Sequence, residues 1–198
     1  MSDNSNNNGG TAKILKLGLI LFTVTAITGL ILGVVYEITA GPIKQTQERL
    51  KNEALAAALP EADSFEPLEI AEGASPLVHE VQRCADHGED AGYCITVVPK
   101  GYAGPIEIVV GIASGGKLRA IRILNQSETP GLGAKAAEPP FTGQFENKDV
   151  PRLSVVKTSP SEPGQIQAIS GATITSDAVT NGVNAALDYW KTYLKGGN

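Results

Sequence analysis

The sequence predicts an α+β domain, a mainly antiparallel sheet flanked by helices, preceded by one N-terminal transmembrane helix. Three observations carry this expectation. Strand-like runs gather in the middle of the chain while helical periodicity is confined to its two ends, so helix and sheet are segregated rather than alternating. An uncharged apolar run of twenty residues lies near the N-terminus. No repeat of the solenoid kind interrupts this order.

Residues 1–12 are rich in Asn, Ser and Gly, cannot bury a core, and read as a disordered cytoplasmic tail. Residues 17–36 carry no charge, and at about 1.5 Å per residue they span a hydrocarbon layer of about 30 Å. The run exceeds the apolar stretch of a cleaved leader, about 7–15 residues, so residues 13–38 read as a retained anchor. Lys13 and Lys16 precede it and Glu37 is the first charge after it. The positive-inside rule then keeps the N-terminus cytoplasmic and carries the rest across, which in a bacterium means the inner membrane and the periplasm. Gly29 and Gly33 form a small-xxx-small pair that suits either packing against other membrane subunits or a lone tether.

Gly41-Pro42 reads as a break. Residues 43–59 are strong helix formers ended by Pro60, giving a juxtamembrane helix within 39–61. Residues 62–198 then form one extracytoplasmic domain, large enough for its own core. Strand candidates follow at 77–81, 93–98, 106–112 and 117–124, the last two joined by Ser114-Gly115-Gly116 as a tight hairpin. Gly101 to Pro105 is a loop that permits close backbone approach. Phe141 and Phe145 are the expected core anchors of an otherwise polar stretch, and 153–157 and 166–169 are short further strands.

The last strand delivers the chain into Ser170-Gly171-Ala172-Thr173-Ile174-Thr175-Ser176-Asp177. Val179, Val183, Leu187 and Trp190 then recur on one helical face. Thr175 or Ser176 is the expected N-cap, with Asp177 at the positive end of the helix dipole. Small residues and hydroxyls at a helix start suit a phosphate, although an ordinary capped helix after a tight turn explains the same pattern. A second glycine-rich run, Glu128-Thr129-Pro130-Gly131-Leu132-Gly133, stands about forty residues earlier.

In this order and behind an anchor, the two runs resemble the FMN-binding domain shared by two membrane proteins. These are the G subunit of the Rnf electron-transport complex and the C subunit of the sodium-pumping NADH:quinone reductase, and the chain length is more like the former. The resemblance implies that FMN is joined by a phosphoester to Thr175, with Ser170, Gly171, Ala172 and Thr173 beside the phosphate and the Glu128–Gly133 run forming part of the flavin pocket. It also implies a maturing flavin transferase that uses FAD and magnesium. The complex would couple electron transfer between ferredoxin and NAD to Na+ or H+ movement, with this chain as a carrier among other membrane subunits. Two positions depart from the family pattern. Gln167 stands where an acidic residue is frequent, and Gln126 and Ser127 precede the Glu-Thr-Pro run where a histidine is common. An FMN-free assembly or docking subunit and a stand-alone periplasmic flavin reductase are the other readings. The latter lacks a dinucleotide signature after a strand.

Beyond the anchor, fourteen basic residues face twenty acidic ones, which argues against a nucleic-acid partner. With two histidines, His79 and His87, the chain offers neither a histidine-based catalytic centre nor a histidine-rich metal site. No nucleophile–base arrangement stands out either. Cys84 and Cys94 flank an expected loop, and in an oxidising compartment a local disulfide is the favoured reading. A zinc site with both histidines and a pair of free thiols are the alternatives.

Overall fold

The computed structural model describes residues 8–195. Helix α1 spans Asn8–Ala58, and two compact units divide between Arg49 and Leu50. Of the tail expected to be disordered, residues 1–7 lie outside the described residues, and 8–12 are instead the start of α1.

In the first unit every large apolar side chain from Ile14 to Ile38 is more than half exposed. A helix apolar on all sides is matched to lipid rather than to a one-sided protein core. It is long and apolar enough to cross a membrane, its most apolar 18-residue stretch having a mean hydropathy of 2.4. The threonine hydroxyls within the apolar run find their acceptors inside the helix. The hydroxyls of Thr23, Thr25 and Thr28 donate to the carbonyls of Leu19, Leu21 and Val24 at 2.8–3.0 Å. The break expected at Gly41-Pro42 does not occur, because α1 continues through Pro42. Proline removes one donor and crowds one carbonyl, whereas the residues on both sides favour helix.

The second unit takes in the last turns of α1. Ala54, Leu55, Ala58 and Leu59, paired four apart, bury against Cys84, Cys94 and Val109. These turns lie on one face of a five-stranded antiparallel sheet in sequence order: β1 Ser64–Leu68, β2 Val78–Asp86, β3 Glu89–Val97, β4 Glu107–Ala113 and β5 Leu118–Asn125. Gly111 lets them approach, since a Cβ there would sit 2.1 Å from the Ala58 carbonyl oxygen.

Strand β1 was not expected; it is an edge strand of mostly exposed residues containing Pro67, so it lacks an alternating apolar signal. The loop expected between Cys84 and Cys94 is also absent. β2 and β3 form a hairpin that turns at His87 and Gly88, both in the left-handed region. The two cysteines therefore lie inside strands rather than flanking a loop, and both stand as buried thiols, without the expected bridge, in this structure. Cys84 pairs with Gly92 and Cys94 with Gln82, so the cysteines are diagonal rather than directly opposite. Contact with Cys84 and burial push the Cys94 thiol well above its ordinary pKa. The zinc alternative is not assembled among the described residues. The three-ligand cluster found there joins Asp63, Asp86 and His87 without either cysteine.

After β5 come a 3-10 turn at Gly133–Ala137, α2 at Pro139–Thr142 with proline in its first turn, and a second 3-10 turn at Gly143–Phe145. Phe141 and Phe145 are both buried and meet edge to face, ring centres 5.4 Å apart. β6 Ser154–Val156 and β7 Gln165–Gln167 form a small parallel pair. Asn184 ties its start to the final helix, accepting from the Leu153 N–H at 2.8 Å and donating to its carbonyl at 2.9 Å.

That helix, α3, spans Thr173–Tyr189 and runs on into a π-turn at Trp190–Leu194. Val179, Val183, Leu187 and Trp190 pack into the main core with Ile95, Ile108, Val110 and Ile121. The glycine inside its periodic pattern has a packing reason: a Cβ on Gly182 would come 2.9 Å from the Pro99 ring. Trp190 rests on Gly116 of the β4–β5 hairpin, where φ is +87° and a Cβ would lie 2.4 Å from the indole.

Candidate functional site

Three segments converge at the start of α3. Strand β5 ends at Asn125, and the backbone N–H of Glu128 donates to the Gln126 side chain at 2.6 Å. The next residues turn back on themselves. The N–H groups of Leu132 and Ala134 both donate to the Thr129 carbonyl, with Gly131 at a φ of +76°. The turn sets Gly133 against Glu128.

From the other side, β7 leads into a turn in which the Ala172 N–H donates to the Ile169 carbonyl at 2.9 Å. The expected N-cap at Thr175 or Ser176 is corrected to Ala172, whose side chain cannot cap. The Ser176 hydroxyl instead accepts from the Ile169 N–H and donates to the Ala172 carbonyl, both at 3.0 Å, pinning the turn to the helix. Thr175 is thus the third helical residue and faces inward, 1% exposed, while Thr173 is only partly buried.

The two runs meet in one hydrogen bond. The Thr175 hydroxyl donates to Glu128 Oε2 at 2.6 Å, and the Ala103 N–H donates to Oε1 at 2.9 Å. Glu128 is 5% exposed. Burial raises its pKa, but donation from Thr175 and from the backbone of Ala103, Gly104 and Tyr102 outweighs burial and holds the carboxyl below its usual value. Two glycines close on this pair. A Cβ on Gly101 would lie 2.5 Å from Glu128 Oε1, and one on Gly133 2.5 Å from Oε2 and 2.7 Å from the Thr175 hydroxyl.

Beside the pair lies a cavity of about 530 Å³, within the range of small-molecule sites. Of the residues singled out in the sequence, Glu128, Thr129, Leu132, Gly133, Gly171, Ala172, Thr173 and Thr175 line it; Pro130, Gly131 and Ser170 do not. Sequence reasoning missed Tyr102 and Ile174, which also line it and are 69% and 57% exposed. An aromatic inside the Gly101–Pro105 loop was the available signal for the first. Gln167, at the departure from the family pattern, is exposed on β7. Another hollow, of about 340 Å³ near Arg152 and Asp188, includes none of the motif residues.

The walls offer hydroxyls, the start of a long helix and apolar side chains, with Glu128 as the single charge among the lining residues. An extended, partly apolar body fits the apolar walls, and the helix start offers free N–H groups to an acceptor on it.

Residues 101–188 match the family described as FMN-binding domain. The chain is 36% identical to the G subunit of the Na(+)-translocating ferredoxin:NAD(+) oxidoreductase complex of Acetobacterium woodii, covering 92% of this chain and 94% of that one. It is 35% identical to the G subunit of the proton-translocating ferredoxin:NAD(+) oxidoreductase complex of Clostridium ljungdahlii, covering 88% and 90%. Among solved structures it is similar to the C subunit of the Na(+)-translocating NADH-quinone reductase from Parabacteroides distasonis. The TM-score there is 0.60 at 20% identity, over 78% of this chain and 96% of the other, a likeness of fold.

Proposed function

The chain belongs to the G-subunit family of ion-translocating oxidoreductase complexes, and from that membership we propose a membrane-anchored electron carrier whose FMN is esterified through its phosphate to Thr175. The observation that carries the reading is the inward Thr175 hydroxyl on a cavity lined by both motif runs. The first turn of α3 supplies N–H groups and a positive dipole end for the phosphate. Thr129, Leu132 and Gly133 form one wall, and Tyr102 and Ile174 offer exposed apolar surface to the ring system. Bound flavin supplies one- and two-electron redox chemistry; the protein supplies attachment, placement and tuning.

By this reading the chain works beside other membrane subunits of a complex passing electrons between ferredoxin and NAD. The Acetobacterium and Clostridium relatives are named for different ions, so the reading covers Na+ or H+ alike. Formation of the ester calls for a separate flavin transferase with an activated donor. Full-length protein from cells lacking the transferase is expected to be colourless and folded. Co-expression with the enzyme should give a band that stays fluorescent after denaturing electrophoresis. A fully labelled product without the enzyme would point to self-attachment, and no label in either case would remove the covalent reading.

Lys13 and Lys16 ahead of the uncharged run support a C-terminal domain on the extracytoplasmic side of a bacterial inner membrane. A reporter active only outside the cytoplasm, fused after Asn198, should be active. Activity from a cytoplasm-only reporter at that point would reverse the orientation.

A further inference from the structure

Glu128 is a buried carboxylate with no cationic partner among the described residues, held only by neutral donors. Buried carboxylates are normally paired, since desolvating one is costly. Both of its oxygens accept, Oε1 from the Ala103 N–H of the Gly101–Pro105 loop and Oε2 from the Thr175 hydroxyl on α3. The protic side chain that touches the charge is that hydroxyl, at 2.6 Å.

We propose that Glu128 is the base that takes the Thr175 proton as the flavin ester forms. The inference rests on the attachment reading above and assigns a catalytic role within it. The Thr175 Oγ–H bond breaks and Oγ bonds to the flavin-side phosphorus of a flavin adenine dinucleotide. The P–O bond to the adenylate side breaks, AMP leaves, and the hydroxyl proton passes to Glu128 Oε2. No oxidation state changes.

Geometry and charge both favour this assignment. The hydroxyl already donates to Glu128, so its lone pairs are directed away from the carboxylate and are available to the incoming phosphorus. Among the residues lining the cavity, Glu128 is the one ionised base: the others are glycines, threonines, Ala172, Leu132, Ile174 and the phenol of Tyr102. The product also matters. Esterification puts a phosphodiester anion where a hydroxyl stood, and an ionised carboxylate kept at that distance would repel it strongly. Proton uptake leaves Glu128 neutral as that charge appears.

The test loads full-length chain, in membranes from cells lacking the transferase, by adding transferase, magnesium and flavin adenine dinucleotide. The rate of protein-bound fluorescence is followed and the labelled peptide identified by mass. Glu128→Gln keeps an acceptor for the Thr175 hydroxyl but not a base, and should load about 10²- to 10⁴-fold more slowly. Glu128→Asp keeps a carboxylate one methylene further back and should recover part of that loss. Glu128→Gln loading at the wild-type rate, while the wild type is labelled at Thr175, would overturn this role and leave the attachment reading standing. Equal slowing in both variants, with lowered melting temperatures, would assign Glu128 to holding the loop and overturn it too. Wild-type chain labelled elsewhere, or not at all, would bring down both.

Discussion

Thr175→Ala is expected to give a folded protein from which denaturing electrophoresis removes all flavin, whereas Thr173→Ala keeps its covalent fluorescence. Both hydroxyls line the cavity, so composition does not separate them. Environment does: Thr175 is buried and bonded to Glu128, while Thr173 is partly exposed at the first helical position. The alanine variant leaves a buried carboxylate short of one donor, a cost of about 1–3 kcal/mol that a domain of this size can absorb. Thr175→Ser keeps a hydroxyl and should retain part of the label. Fluorescence surviving in Thr175→Ala and vanishing in Thr173→Ala would move the bond to the other threonine.

Phe145→Ala should be a severe core change, costing about 3–5 kcal/mol in denaturant unfolding. The ring is fully buried, and its edge-to-face contact with Phe141 would be lost with it. Phe145 belongs to the short turns between β5 and β6, so its loss also loosens the segment that follows the Glu128–Gly133 turn. A destabilisation below about 1 kcal/mol would show that the surroundings collapse into the space, contrary to the close packing expected of a core.

What could be read in advance followed the strength of each local pattern. β4 and β5 announced themselves through Val109, Val110, Ile121 and Ile123 around a glycine turn, and α3 through the spacing of Val179, Val183 and Leu187. The two aromatic anchors were legible because little else in their stretch is apolar. β1 was not, since edge position and Pro67 erase the alternation that identifies a strand. The β2–β3 hairpin was hidden because the tips of both strands carry charged residues, Asp86, Glu89 and Asp90, that look like a loop. Continuity of α1 through Pro42 ran against a local rule that the helix formers on either side outweigh. Within the site, the motif runs named most of the lining. The bond between Glu128 and Thr175 joins residues 47 positions apart, and no local pattern encodes that meeting.

That separation also sets an order of events in the life of the molecule. The five-stranded sheet is a meander in which each strand pairs with its sequence neighbour, so it can close hairpin by hairpin as the chain emerges. The hydroxyl arrives only with α3, the last helix, after the carboxylate and its loop are available. On the attachment proposed above, a nascent or truncated chain would present half an acceptor, and a modifying enzyme that reads the assembled pair would act on finished copies alone. Colour in this protein would then be a certificate of completed folding, issued once per molecule.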